Sequence, residues 1–432
     1  MRQMAAMLAG ALCALATPAL AASQPLPVPQ APERGKASQG LMLRGGELIW
    51  LLDGSKEPRD YFNDAFLAAV PEAQIKTLIA QWLAQYGKVG DAEMIERRSP
   101  YSGTMRVEYE RATATVELTV EPTAPHKVSG LLVKGFEVKG DSPAKIDTDF
   151  AALPGKAGYL VEKLGPDGKR QQVAGRATTQ QFAIASTFKL YVLAELASQV
   201  QAGRRSWSDV VPILESSYSS PATQNWPRNT PVTLQTLATW MVSVSDNAAT
   251  DALIRVLGRD TVEEKLATIG HSAPDMALPM LTTVEAFALK SNPALRARFQ
   301  KASEAGQRDL LVKEATALRF EHIDMAQLGS GPVAIDSIEW FAAPADLGAL
   351  LDTIRRTGNQ TALDVLAVNK GAAPASAAKW QYLGYKGGSE PGVISMSFLA
   401  QSKAGEWYAI SGSWNNMAKE VDNAAFAALM AR

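Results

Sequence analysis

Apolar positions along this chain switch between two periods, and the switches divide it. Ile75, Leu78, Ile79, Trp82 and Leu83 recur at three- and four-residue spacing between Pro71 and Gly87. That spacing predicts a helix opened by the proline and closed by the glycine. From Met105 the period falls to two. Met105, Val107 and Tyr109, then Thr113 to Val120, then Lys127 to Val133 read as an antiparallel meander with one buried face. Helices followed by a curved sheet predict a small α+β domain over residues 40–140. Gly140-Asp141-Ser142-Pro143 is turn chemistry and marks the seam, so residues up to 145 are expected to be linker.

The second domain, residues 146–432, opens on a hairpin. Ala157–Leu164 and Gln171–Gly175 flank the turn Gly165-Pro166-Asp167-Gly168. Helical patterns then fill 187–201, 233–243, 247–257, 260–269, 282–290, 344–356 and 361–368. Strands return at 382–386, 391–401 and 406–413, and 420–431 closes as an amphipathic helix. A sheet drawn from both ends of a domain, with helices between, predicts an α/β (α+β) sandwich with an antiparallel sheet and a helical middle.

Residues 1–21 have a different grammar. Arg2, an alanine-rich apolar run and Ala19-Leu20-Ala21 predict a secretory signal peptide cleaved after Ala21, and residues 22–39 a flexible lead-in. Cys13 raises a lipoprotein alternative, but Leu12 stands where that signal wants a small residue. The expected location is therefore periplasmic or extracellular, with no integral membrane segment after cleavage.

Composition narrows the chemistry. Of 432 residues, 43 are Lys or Arg and 44 Asp or Glu, which argues against a nucleic-acid surface. The single cysteine lies in the signal, and the three histidines (His126, His271, His322) share no ligand spacing. No metal, cofactor or disulfide framework is expected. A catalyst in this alphabet rests on Ser, Lys, Asp, Glu, Tyr and Asn.

Three short motifs supply one. Ser-x-x-Lys occurs at Ser142–Lys145, Ser186–Lys189 and Ser376–Lys379, and only Ser186-Thr187-Phe188-Lys189 opens an apolar helix. There Ser186 and Lys189 share a face, and a serine at a helix N-terminus sits in a field that favours an oxyanion. Ser245-Asp246-Asn247 falls at the break between two helices, offering a second hydroxyl and an amide, although helix capping explains it equally well locally. Lys386-Gly387-Gly388-Ser389 ends a strand, with a cation and two glycines that let a substrate backbone approach.

In this order the three motifs resemble the active-site set of class A β-lactamases and penicillin-binding proteins. The 59 residues from Ser186 to Ser245 are close to the separation usual in that family. The resemblance covers residues 146–432 and implies a β-lactamase/transpeptidase-like fold. Residues 40–140 resemble the cone-shaped fold of steroid isomerases and nuclear transport factors, where a docking or dimerisation module without chemistry is the blander expectation. The layout of the whole is similar to two-domain β-lactamase-like hydrolases such as those of clavulanic acid biosynthesis.

The resemblance implies that Ser186 is acylated and that Lys189 accepts its proton. It further implies that Ser245 relays the proton to the leaving group, Asn247 orients the substrate and Lys386 stabilises anionic groups. Gly388 and Ser389 would lie along the substrate, with the Ser186 and Ser389 N–H groups as the oxyanion hole. With so few histidines, Ser186 needs a lysine of lowered pKa, which a nearby Lys386 would provide.

The departures are equally concrete. No Leu-Asn dipeptide marks a deacylating glutamate; Glu285 is the nearest by position, and its helical pattern favours a surface residue. Gly387 stands where the family usually carries a hydroxyl, and no arginine lies between Gly388 and Met430. The 141 residues from Ser245 to Lys386 exceed the family's spacing, placing an insertion at 290–340 that reads as solvated helix faces or a lid. A β-lactam, amide, ester or peptide substrate follows, with a carboxylesterase, a D-amino-acid peptidase or a penicillin-binding protein that acylates without turnover as alternatives. Tyr218 and Trp226 are candidates for an aromatic gate.

Overall fold

The computed structural model describes residues 37–214, 216–329 and 331–432, apart from the side chains of residues 374 and 375. The signal, the flexible lead-in to residue 36 and Cys13 lie outside the described residues.

The first domain forms because one face of a four-stranded sheet is apolar and helices cover it. Helix α1 (Gln39–Leu52) starts where the Ser38 hydroxyl accepts the Leu41 N–H, a cap that contributes about 1 kcal/mol. Two short helices follow, α2 (Pro58–Tyr61) and α3 (Asp64–Ala69), and then α4 (Glu72–Tyr86). Pro71 and Gly87 bracket α4 as expected, with Gly87 at φ +83°. Strands β1 (Val89–Ser99), β2 (Ser102–Tyr109), β3 (Ala112–Val120) and β4 (Val128–Val138) make an antiparallel meander in sequential order. Along β3, Ala112, Ala114, Val116, Leu118 and Val120 are buried, the period-two alternation of a one-sided sheet. They pack with Leu41, Leu48, Tyr61, Phe62 and Ile79.

The seam is shorter than expected. Ser142 is not linker but the N-cap of α5 (Pro143–Ala151): its hydroxyl accepts the Lys145 N–H, and Pro143 occupies the first turn, where its missing N–H costs nothing. This explains the first Ser-x-x-Lys copy as capping. Arg432 at the other end of the chain pairs with Asp141 and Asp149, closing the second domain on itself.

That domain is built on a five-stranded antiparallel sheet of order β11-β12-β13-β5-β6. The early hairpin supplies β5 (Lys156–Leu164) and β6 (Arg170–Arg176). Between it and the late strands the chain runs through β7 (Phe182–Ala183), a 3₁₀ turn (Ala185–Phe188) and α6 (Lys189–Gln201). Next come the ribbon β8 (Val210–Ile213) and β9 (Thr230–Thr233), then α7 (Leu234–Ser243), α8 (Asn247–Leu257) and α9 (Arg259–Ile269). Helices α10 (Thr283–Ser291), α11 (Pro293–Lys301) and α12 (Glu304–Lys313) follow, and the two-residue strand β10 (Phe341–Ala342) pairs with β7. Helices α13 (Pro344–Arg356), α14 (Gln360–Ala367) and the single turn α15 (Pro374–Ala377) lead back to the sheet. The chain ends with β11 (Trp380–Glu390), β12 (Val393–Ser402), β13 (Trp407–Asn415) and α16 (Asn423–Met430).

Both faces of this sheet are covered. One packs against the helical core of α6, α7, α8 and α13, in which Leu190 to Ala194 are wholly buried. The other carries α5 and α16, where Phe150, Tyr159, Trp414 and Phe426 meet. A sheet with helices on both sides is the α/β sandwich expected from the element order.

The insertion at 290–340 is more firmly held than solvated helix faces would be. Arg308 pairs with Glu263 at 2.6 Å and Arg298 with Glu314 at 2.7 Å, while Leu310 and Leu311 enter the core.

Candidate active site

The 3₁₀ turn places Ser186 at the junction of the sheet and the helical layer. Its approach is fixed on both sides. Asn415 exchanges side-chain hydrogen bonds with the backbone of Ala183, and the Ile184 N–H donates to the Trp340 carbonyl. Two residues past the serine, Phe188 stacks on Trp340 at 3.9 Å with the rings 2° from parallel. Ala185 is held at φ +43°, a left-handed conformation that an alanine adopts only when its surroundings impose it. Ser186 itself is half-buried.

Lys189 begins α6 and is wholly buried. Its Nζ donates to Asn247 Oδ1 at 2.6 Å, to the Ser245 carbonyl at 2.6 Å and to Ser245 Oγ at 3.1 Å. Sequence spacing pointed to a Ser186–Lys189 contact; among the described residues Lys189 makes no hydrogen bond to Ser186. Three acceptors on the facing loop draw its ammonium across the cleft instead. Lys386, on β11, donates to the same Ser245 Oγ at 3.1 Å and to the Gly387 carbonyl. The three motifs therefore meet at one oxygen.

Two buried ammonium groups this close cannot both keep an ordinary pKa. Burial, reinforced by the charge of Lys386, holds Lys189 well below the usual lysine range, with Asp251 and Asp246 opposing the shift. Burial alone pushes Lys386 down to about 7. A neutral amine beside a hydroxyl can take a proton, and the hydroxyl can pass one between the two amines.

The loop carrying Ser245 is shaped for this contact. Ser245 sits at φ +59°, and Asp246 is fully buried, capping α8 through the Ala249 N–H. The other Asp246 oxygen accepts the N–H groups of Ala222 and Thr223. The capping explanation and the site are thus one structure, because the cap aims the residues on either side of it. Asn247 donates from Nδ2 to the Tyr218 carbonyl at 2.6 Å while its Oδ1 receives Lys189.

Gly388 meets a requirement of its own. A Cβ there would lie 2.4 Å from Ser186 N, 2.5 Å from Ile184 O and 2.6 Å from Thr187 N. All three are backbone atoms, so only glycine lets β11 lie against the serine turn. Thr187 Oγ1 reinforces the approach by donating to Ser395 O on β12. Ser389 is exposed at the end of the strand.

Residues 143–321 match the model of the Beta-lactamase enzyme family. The matched stretch holds Ser186, Lys189, Ser245 and Asn247 and ends before Lys386. No curated protein sequence matches the chain significantly. Among solved structures, the chain is similar to a β-lactamase of Sphaerobacter thermophilus DSM 20745, with 19% identity over 67% of this chain and 91% of that one at a TM-score of 0.45. It is similar to PBP-A at 16% identity, covering 67% and 91% of the two chains, again at a TM-score of 0.45. An ancestral class A β-lactamase gives 17% identity, 67% and 94% coverage and a TM-score of 0.45.

Glu285 is placed in neither an exposed nor a free position. It completes a capping box with Thr282 at the start of α10, and both its oxygens receive Arg259, at 2.6 and 2.9 Å. Among the described residues, no hydrogen bond joins it to Ser186, Lys189, Ser245 or Asn247. The expected surface role is corrected to a half-buried ion pair. Tyr218 packs edge-on against Phe287, and Trp226 against Trp240; both rings keep an exposed edge. Ser376 lies in the single turn α15. His271 is buried, with Nε2 at the Phe341 carbonyl.

Several residues of this site carry no signal in the sequence motifs. Asp251, one helical turn beyond Asn247, accepts the Thr283 and Val284 N–H groups and the Thr283 hydroxyl. Its i, i+4 relation to Asn247 was the available signal. Lys290, Glu339 and Glu390 form a buried cluster beside Ala185 that no local pattern announced.

Proposed function

We propose that the protein is an exported serine hydrolase that forms an acyl-enzyme on Ser186 from a β-lactam or a related amide or ester. The observation that carries the reading is the convergence of Lys189 and Lys386 on Ser245 Oγ next to the Ser186 turn. Lys189, whose pKa burial lowers, accepts the Ser186 hydroxyl proton as Oγ attacks the carbonyl carbon, its Nζ turning to the serine from the Ser245 and Asn247 acceptors. The tetrahedral oxyanion is held by the Ser186 and Ser389 N–H groups, for which Gly388 keeps the strand close. As the C–N or C–O bond breaks, the Ser245 hydroxyl gives its proton to the leaving group and is reprotonated from the amines on either side. Asn247 orients the substrate, and Lys386 in its charged form attracts an anionic group. Export rests on the signal-like sequence of residues 1–21. The four-stranded meander and its helices support a cone-shaped fold for residues 40–140, used for docking or pairing.

A second reading has its own support. Glu285 is bound to Arg259, so the acyl-enzyme lacks that residue as a base for water, which favours a penicillin-binding protein that deacylates slowly. Pre-steady-state hydrolysis of a chromogenic cephalosporin, paired with intact-protein mass, tests both. Steady turnover with a transient adduct supports the hydrolase, and a stoichiometric burst with a lasting adduct supports the binding protein. An adduct or turnover of undiminished size in Ser186→Ala would overturn the assignment of the nucleophile.

A further inference from the structure

Lys290 is one of the most enclosed charges in the protein. Its side chain is 3% exposed, and it lies 2.7 Å from Glu339 Oε1 and 2.5 and 2.7 Å from the two Glu390 oxygens. The three residues come from separate parts of the chain. Lys290 belongs to α10, Glu339 precedes β10, and Glu390 ends β11. Two glutamates crowded on one enclosed lysine are electrostatically expensive: burial and the neighbouring Glu339 push the Glu390 carboxyl well above the usual carboxylate range, and hydrophobic residues of similar volume often stabilise a fold as well or better. Stability alone therefore does not account for the cluster.

Its position does. The Glu339 oxygen that is free of Lys290, Oε2, receives the Ala185 N–H at 3.1 Å and the Trp340 N–H at 3.2 Å. Ala185 is the residue at φ +43° immediately before Ser186. On the other side, Glu390 lies two residues beyond Gly388, on the same strand face as Lys386 and Gly388. Gly388 in turn is pressed against Ser186 N. Lys290 thus ties the turn that presents Ser186 to the strand that lies over it, and fastens the root of the 290–340 insertion to both.

We infer that Lys290 and Glu339 are positioning residues for Ser186: their ion pair aims the Glu339 carboxylate at Ala185 N–H, and Glu390 holds β11 at the matching height. The inference rests on Ser186 being the nucleophile. The cluster touches no reacting atom. It sets the geometry from which Ser186 Oγ attacks, where a displacement of about 1 Å costs about 100-fold in rate.

The test is the rate of Ser186 acylation by a chromogenic cephalosporin and by p-nitrophenyl acetate, measured in the full chain as a function of reagent concentration. Lys290→Met and Glu339→Met are expected to lower the limiting acylation rate about 100-fold while the half-saturating concentration changes less than about threefold. Lys290→Arg, which retains a cation able to reach both carboxylates, is expected to restore most of the rate. A merely structural role would lower the folded fraction and leave the limiting rate of the folded protein unchanged. Because Lys290→Met leaves two carboxylates buried, the triple variant Lys290→Met/Glu339→Met/Glu390→Met serves as a charge-free control. If it folds and acylates at the parent rate, the inference is overturned. Undiminished acylation in Ser186→Ala would instead overturn the reading of the nucleophile, so the two failures are distinguishable.

Discussion

Lys189 and Lys386 hold one oxygen between them: Ser245 Oγ lies 3.1 Å from the Nζ of each. A hydroxyl has two acceptor positions and one proton, so it can accept from both amines while keeping its own hydrogen for a third group. Ser245 is therefore placed as a relay rather than a nucleophile. Ser245→Ala is expected to lower kcat/KM by about 100-fold or more, the usual loss for a proton-transfer group. The effect should be larger for amides than for activated esters, whose leaving groups need no proton. Parallel assays on a cephalosporin and p-nitrophenyl acetate check this; equal losses on both would argue against the relay.

The pKa of Lys386 near 7 gives the protein a pH dependence of stated sign. Its charge is present below that value and lost above it. For a substrate bearing a carboxylate, kcat/KM should fall as pH rises from about 6 to about 8, and a neutral ester should not show this limb. Lys386→Arg should remove the fall, since arginine stays charged. Stability runs the other way. Burial penalises the charged form, so the cost is full below about 7 and is relieved as pH rises toward the ordinary lysine value of 10.5. Lys386→Met should accordingly raise Tm more at about pH 6 than at about pH 9. Calorimetric scans across that range would show it.

Gly388 should tolerate nothing larger. In Gly388→Ala the new methyl would meet the backbone of Ile184, Ser186 and Thr187 within 2.6 Å, and none of these atoms belongs to a side chain that could swing away. Either β11 or the serine turn must move, at a cost of about 1–3 kcal/mol. Activity should fall well beyond what the loss of Tm explains, because the displaced element carries the nucleophile. Gly387→Ala offers the contrast, since its nearest neighbour is the Tyr385 side chain and not the serine turn.

How much of this was legible beforehand follows from physical range. Helices α4, α8 and α13 carry their own punctuation, with Pro71 and Gly87 around α4, Asp246 capping α8 and Pro344 opening α13, so their extents could be read locally. β1 could not be. It is an edge strand with no fully buried residue and five charges among its eleven positions, so it shows no period-two alternation. In the site, the meeting of Lys189, Ser245 and Lys386 lay in short motifs. The Lys290 cluster was silent because its members are 49 and 100 residues apart and a lysine–glutamate pair carries no local signature. The true acceptors of Lys189 were hidden for a related reason. Helical spacing shows which side chains share a face, and not which partner across the cleft offers the better hydrogen bonds.

Glu285 and Asp251 both hold the start of α10, one from within it and the other from α8, and their substitutions should separate structure from chemistry. Glu285 caps α10 and pairs with Arg259 at 2.6 Å. Glu285→Gln keeps one acceptor and loses the ion pair, so a drop of about 1 kcal/mol in stability is expected, with deacylation intact. Asp251 is buried, which pushes its carboxyl up to about 6, yet it accepts three hydrogen bonds from Thr283 and Val284 and its charge raises the pKa of Lys189. In Asp251→Asn an amide NH₂ would face donors, and the negative charge near Lys189 would vanish. The fold should lose about 1–3 kcal/mol. The acid limb of acylation, which reports protonation of Lys189, should move to lower pH. Mass spectrometry of the acyl-enzyme over time gives the first outcome and a pH series of acylation rates the second. Accumulation of acyl-enzyme in Glu285→Gln would make Glu285 the base that activates water, and an unmoved limb in Asp251→Asn would remove Asp251 from the electrostatics of Lys189.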